Sequence, residues 1–195
     1  MTREIRPYAL DHMSLRSKTD GLHFRGHAAV FDQRTWIGPP KYGFWEEVAG
    51  EAFDRAIRED DVRMLIDHDP SRVLARNTAG TLRLTKDKRG LVADADMADV
   101  TYARDLAVLL ERGDVSQMSF AFVPRSEEWS TLKDGAEVRR LLDVELFDVS
   151  AVAYPAYEGT DAALRAVEAR RVEFRTNQLA TLRTRLEAAW KGATP

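Results

Sequence analysis

Apolar and polar positions alternate along much of the chain, and the alternation predicts strands. Residues 22–31 (LHFRGHAAVF) read as the first of them. Residues 32–43 carry Gly38, Pro39, Pro40 and Gly43 and read as a loop. Residues 51–58 (EAFDRAIR) read as a short helix with Ala52, Phe53, Ala56 and Ile57 on one side. Val62–Ile66 is an apolar run ending at Asp67-His68-Asp69-Pro70. Pro70 disfavours helix at Asp69, so this strand should stop in a turn there. Residues 80–85 and 90–97 alternate around Asp87-Lys88-Arg89-Gly90 and form an expected hairpin. The period then changes: over 101–112, Leu106, Leu109 and Leu110 make a helical stripe, with Thr101 placed to cap it and Gly113 to stop it.

Two further strands follow. Residues 115–123 (VSQMSFAFV) put Met118, Phe120 and Phe122 on one face and Gln117, Ser119 and Ala121 on the other. Residues 137–153 read as a long strand, joined to the first through a turn at Asp134-Gly135. From about Thr160 the chain is rich in Ala, Leu, Arg and Glu, and Leu179, Leu182, Leu186 and Trp190 recur at helical spacing. This predicts one or two helices separable from the β region.

Composition narrows the classes. With 195 residues the chain suits one domain with a real core plus an appendage, or two very small domains, and its 44% apolar and 31% charged residues read as a soluble globular protein. A net charge of -3 provides no electrostatic reason to bind nucleic acid or an anionic membrane, and neither partner is expected. There is no cysteine, which removes disulfides, thiolate metal sites and a cysteine nucleophile together. The start, Met1 to Pro7, has no apolar run behind its charges and does not read as a signal peptide. No stretch approaches membrane-spanning length.

Few groups are suited to chemistry. The four histidines are His12, His23, His27 and His68. His23 and His27 fall on one predicted strand, where residues four apart lie about 13 Å from one another, too far to share an ion. No metal or cofactor is expected. His68 sits in a loop mouth at a strand end, where catalytic groups concentrate. On composition alone the better reading is a solvated turn histidine. Ser119 lies between Met118 and Phe120 and, if buried, needs a hydrogen-bond partner. A structural hydroxyl would satisfy that. Asp148 stands inside an apolar strand and needs a partner of its own, either a histidine or an arginine such as Arg139 or Arg140. Neither a Gly-x-Ser-x-Gly elbow nor a phosphate-binding glycine loop is present.

Five segments, in order and at compatible spacing, resemble the prohead serine proteases of tailed bacteriophages, which are related in fold to the herpesvirus protease assemblin. Glu47–Phe53 resembles the stretch before the family's first helix. Val62–Asp69 resembles its histidine segment, and Gly80–Leu82 with Gly90-Leu91 the hairpin that follows. Gly113–Phe122 is similar to the nucleophile strand and Asp148–Ala156 to the acid strand. The likeness runs from about Leu22 to Ala163.

The resemblance implies an α+β fold: a mostly antiparallel β-barrel flanked by helices, with a helical C-terminal extension. Residues 1–20 would be an N-terminal arm, 21–159 the protease domain and 160–195 the extension. It implies a Ser-His-acid triad with Ser119 as nucleophile, His68 as general base and Asp148 as acid, where family members usually carry glutamate. Glu145 is the rival for the acid. On a regular strand Glu145 and Asp148 point to opposite faces, so only one of them can reach His68. Ala121 stands where the family usually has glycine and is expected to narrow the pocket. The implied substrates are the scaffolding segment of the major capsid protein and the protease itself, cleaved within the assembling prohead in the host cytoplasm. The C-terminal helices would pack on the barrel, associate with a second copy, or tether the enzyme to scaffold or capsid protein. The alternative is a non-catalytic capsid assembly protein that keeps the protease fold.

Overall fold

The computed structural model describes residues 3–9, 13–18 and 21–154, with Thr176, Ala180, Thr181, Arg183 and Thr184 beyond them. Those last five are helical. The remainder of the expected C-terminal helices lies outside the described residues, as does His12.

Eleven strands and two α-helices are described. Their order is β1 (Glu4–Ala9), β2 (Ser14–Lys18), β3 (Gly21–Val30), β4 (Thr35–Ile37), β5 (Phe44–Val48), α1 (Asp54–Glu59), β6 (Arg63–Ile66), β7 (Asp69–Arg76), β8 (Leu82–Lys86), β9 (Gly90–Met97), α2 (Thr101–Arg112), β10 (Gln117–Thr131) and β11 (Glu137–Val152). The fold is α+β and mostly β. One sheet has seven strands, with β1-β10-β11-β5-β4 as its path, while β6 also pairs with β11 and carries β7. The second is β2-β3-β9-β8. Strand β11 runs parallel to β5 and β6 and antiparallel to β10, so the first sheet is mixed. The expected β-barrel does not close among the described residues. The edges of the sheets do not pair with each other among the described residues; instead β3 packs against β1 and β10.

The core lies between the sheets. Met118, Phe120 and Phe122 of β10, Val149 and Ala151 of β11, and Met64 and Ile66 of β6 meet Phe24, Leu84, Leu91 and Ala93 of the second sheet. Phe53, just before α1, packs edge-on against Phe120 with ring centroids 5.3 Å apart. Helix α2 buries Ala103, Leu106, Ala107 and Leu110, while Leu109 is exposed. Gly113 ends it at φ 79°, a left-handed conformation that glycine adopts without strain. The cap differs from expectation: Val100 holds the N-cap position and no side chain caps it.

Residues read as an N-terminal arm contribute β1 and β2 to the sheets. Their charges hid them. Glu4, Arg6, Glu46 and Arg139 are all buried. Arg6 donates to Glu4 and Glu46, and Arg139 to Glu4, Glu46 and Glu127. This network stitches β1, β5, β10 and β11 together. Burial pushes the Glu4 carboxyl up, but the hydrogen bond from Arg139 and the charges of Arg6 and Arg139 outweigh it and hold the carboxyl below its ordinary value. A folded value below the unfolded one stabilises the protein above the unfolded value, and that stability is lost as pH falls through the folded one. Arg139→Met leaves buried carboxylates short of a partner. It should cost roughly 3 kcal/mol in urea unfolding at neutral pH. The deficit should shrink on acidification, as Glu4 takes up a proton. Equal stability of variant and parent would show that the network contributes nothing.

Candidate active site

The three expected residues come from two strands and a turn: Ser119 from β10, Asp148 from β11 and His68 from the turn between β6 and β7. In the first sheet, β10 and β11 present one face to the core. The opposite face carries Ser119 and Ala121 of β10, with Ser150 directly across from Ser119 and Asp148 across from Ala121. Ser119 is 1% exposed, Asp148 4% and Ser150 0%. Polar groups this deeply buried need partners, and on this face they find one another.

His68 arrives from the far side of β11. Strand β6 pairs with β11 in parallel register, with Leu65 opposite Ser150. It then turns back into β7, with Ile66 paired to Asp69. Asp67 and His68 are the two residues between, at φ 48° and 57°. Positive φ at both central positions is what the tight type I′ hairpin requires, and Asp and His tolerate it better than most residues. The turn therefore comes one residue before the position that Pro70 suggested, and Asp69-Pro70 opens β7. Asp67 anchors it: its N–H donates to Ala151 O at 2.9 Å, and its Oδ1 accepts from the Ala153 N–H at 2.9 Å. Asp69 is engaged elsewhere. Its Oδ1 accepts from the hydroxyl and N–H of Ser71, and these bonds hold its carboxyl below the ordinary value.

His68 is thereby laid between Ser119 and Asp148. Its Nδ1 is 2.6 Å from Asp148 Oδ1, and its Nε2 is 2.9 Å from Ser119 Oγ. An ionised carboxylate only accepts, so Nδ1 carries the proton and donates to Asp148. In the neutral ring Nε2 then accepts from the Ser119 hydroxyl. The shorter acid reaches the ring without a glutamate's extra methylene.

The expectation that Glu145 and Asp148 face opposite ways does not hold. Asp148 is opposite Ala121 but Leu146 is opposite Phe122, so Phe147 is an extra residue on β11. This bulge cancels the odd offset. Glu145 lies opposite Val123, on the same face as Asp148. What separates the two is distance along the strand: Val123 is two residues, about 7 Å, beyond Ala121. The ring bonds to Asp148.

Ser150 was not singled out from the sequence. Its Oγ donates to Asp148 Oδ1 at 2.7 Å. The signal was available, since residues two apart on a strand share a face. Among the described residues no arginine pairs with Asp148: Arg139 belongs to the buried network, and Arg140 pairs with Asp32 and Glu47. His23 and His27 lie on β3 in the other sheet, paired with Asp96 and Asp87. Among the described residues no group of three or more His, Asp or Glu side chains is placed to hold a metal ion. No helix among them is long and apolar enough to cross a membrane.

A nucleophile, a base and an orienting carboxylate in hydrogen-bond contact can perform acyl transfer. Comparisons with known proteins bear on the family and the fold. A family model described as caudovirus prohead serine protease matches residues 10–175. The fold is similar to that of the bacteriophage T4 capsid assembly protease, with a TM-score of 0.52 at 10% identity, covering 77% of this chain and 96% of that one. No curated protein matches the sequence significantly.

Proposed function

Because the chain belongs to the caudovirus prohead serine protease family, we propose that Ser119, His68 and Asp148 form its catalytic triad and that it cleaves capsid proteins as heads mature. The supporting observation is the continuous path from Ser119 Oγ through the His68 ring to Asp148 Oδ1, at 2.9 Å and 2.6 Å.

The chemistry follows from that path. Ser119 Oγ attacks a peptide carbonyl carbon while His68 Nε2 accepts the hydroxyl proton. The imidazolium formed is stabilised by Asp148, which also keeps the ring in the tautomer that leaves Nε2 free to accept. Nε2 then returns the proton to the leaving amine nitrogen, and the C–N bond breaks to give an acyl-enzyme. Water, deprotonated by the same nitrogen, releases the acid and restores Ser119.

The substrate we assign is the scaffolding segment of the major capsid protein, with the protease itself as a second target, inside the assembling head in the host cytoplasm. Family membership and the likeness to a capsid assembly protease support this reading. Confinement in a prohead would raise the effective concentration of enzyme and substrate, so a short recognition sequence suffices. Ala121 puts its side chain on the nucleophile face opposite Asp148, where a glycine would leave more room.

The test separates a protease from a scaffold that keeps the fold. A fluorophosphonate should label the folded chain at one position, Ser119, as shown by peptide mass mapping. Labelling should vanish in Ser119→Ala and be strongly slowed in His68→Ala. A folded, capsid-binding chain that takes no label would identify the scaffold instead.

A further inference from the structure

We propose that Ser150 is a positioning residue of this site: its hydroxyl holds Asp148 in the orientation that receives His68. This rests on the catalytic reading of Ser119, His68 and Asp148 given above. Ser150 and Asp148 leave the same face of β11, and Ser150 is directly opposite Ser119. Ser150 has no exposure to solvent, so its hydroxyl must bond within the protein. It donates to Asp148 Oδ1 at 2.7 Å, the same oxygen that accepts the His68 Nδ1–H at 2.6 Å.

Two donors converging on one carboxylate oxygen do more than satisfy it. Rotation of the carboxyl would break both charge-assisted bonds at once, so the oxygen stays in line with the ring. The residues paired with them across the strands, Ala121 opposite Asp148 and Leu65 opposite Ser150, have apolar side chains with no donor that could take over. A hydroxyl serves here where an ammonium or guanidinium would not. It stabilises the negative charge without neutralising it, leaving the full carboxylate charge to face the imidazolium formed when Ser119 attacks.

The experiment compares Ser150→Ala with Ser150→Thr in the full chain, using a peptide from the capsid protein as substrate. Ser150→Ala should lower kcat about tenfold or more, with KM unchanged. It should also shift or broaden the far-downfield proton NMR resonance of His68 Nδ1–H. Ser150→Thr restores the hydroxyl and should recover most of both. Unchanged kcat in Ser150→Ala, or an equal loss in both variants with the Nδ1–H resonance unmoved, overturns the proposal. Ser150 is fully buried, and a threonine methyl that finds no room there leaves that variant unfolded. Ser150→Ala alone then decides: lost kcat with an unmoved resonance marks a merely structural hydroxyl. Failure of the underlying triad is distinguishable, because Ser119→Ala would then keep its activity. If only the Ser150 proposal fails, Ser119→Ala is dead and Ser150→Ala is normal.

Discussion

Co-expressed with its capsid protein, a chain carrying Ser119→Ala or His68→Ala should leave that protein uncleaved, with peptide hydrolysis lowered about 10⁴-fold or more. Ser119→Ala removes the atom that forms the acyl-enzyme. His68→Ala keeps the nucleophile but leaves it as a neutral hydroxyl, far below its pKa at any physiological pH. The two losses should not multiply in the double variant, because both act on one step. The fold should survive. Ser119 is on the face away from Met118, Phe120 and Phe122, and His68 is held by a turn whose backbone bonds come from Asp67. Gel analysis of capsid processing, with circular dichroism of each purified variant, reads both outcomes. Normal processing by either variant would remove the triad.

The outcome for the fold shows where pattern reading works and where it stops. The hairpin β8–β9, helix α2 and the strands β3, β10 and β11 were legible because their apolar residues recur at the period of the element and enter one core. Strands β1 and β5 were not, because Glu4, Arg6 and Glu46 read as solvent-facing charges. They are buried only because Arg139, some ninety residues or more away from each carboxylate in sequence, completes their pairing. No local window contains that information. Strand β7 was missed because Asp69, Pro70, Ser71 and Arg72 are polar or break regular structure, and their strand pairing comes from the turn at Asp67-His68.

The site divides the same way. The order His68, Ser119, Asp148 was visible only through the ordered likeness to a family, since each residue alone has an ordinary structural use. Their convergence depends on tertiary facts: the parallel pairing of β6 with β11, and two left-handed residues at the turn. The bulge at Phe147 could not be read from a pattern of alternation, because it consists of a break in that pattern. It reverses the geometric argument against Glu145 while leaving Asp148 as the residue that bonds to His68.

The choice of acid therefore rests on contact and not on strand parity, and its replacement has the second large expected effect. Asp148→Asn should lower kcat/KM on a capsid-derived peptide by about 10³–10⁴-fold. The amide keeps the size of the side chain but can offer an N–H to His68 Nδ1. The ring then carries its proton on Nε2, which can no longer accept from Ser119 Oγ, and no buried anion remains to stabilise the imidazolium. Ser150 does not rescue the variant: where its hydroxyl holds the amide oxygen at the position that faces His68, that neutral oxygen still provides no charge to stabilise the imidazolium. Glu145→Gln, one bulge away on the same face, should stay within about threefold of the parent, because its register position lies about 7 Å further along the strand. The contrast is the measurement. A severe loss in Glu145→Gln with a mild one in Asp148→Asn would transfer the acid to Glu145, and would require β11 to slide by two residues against the His68 turn when substrate binds.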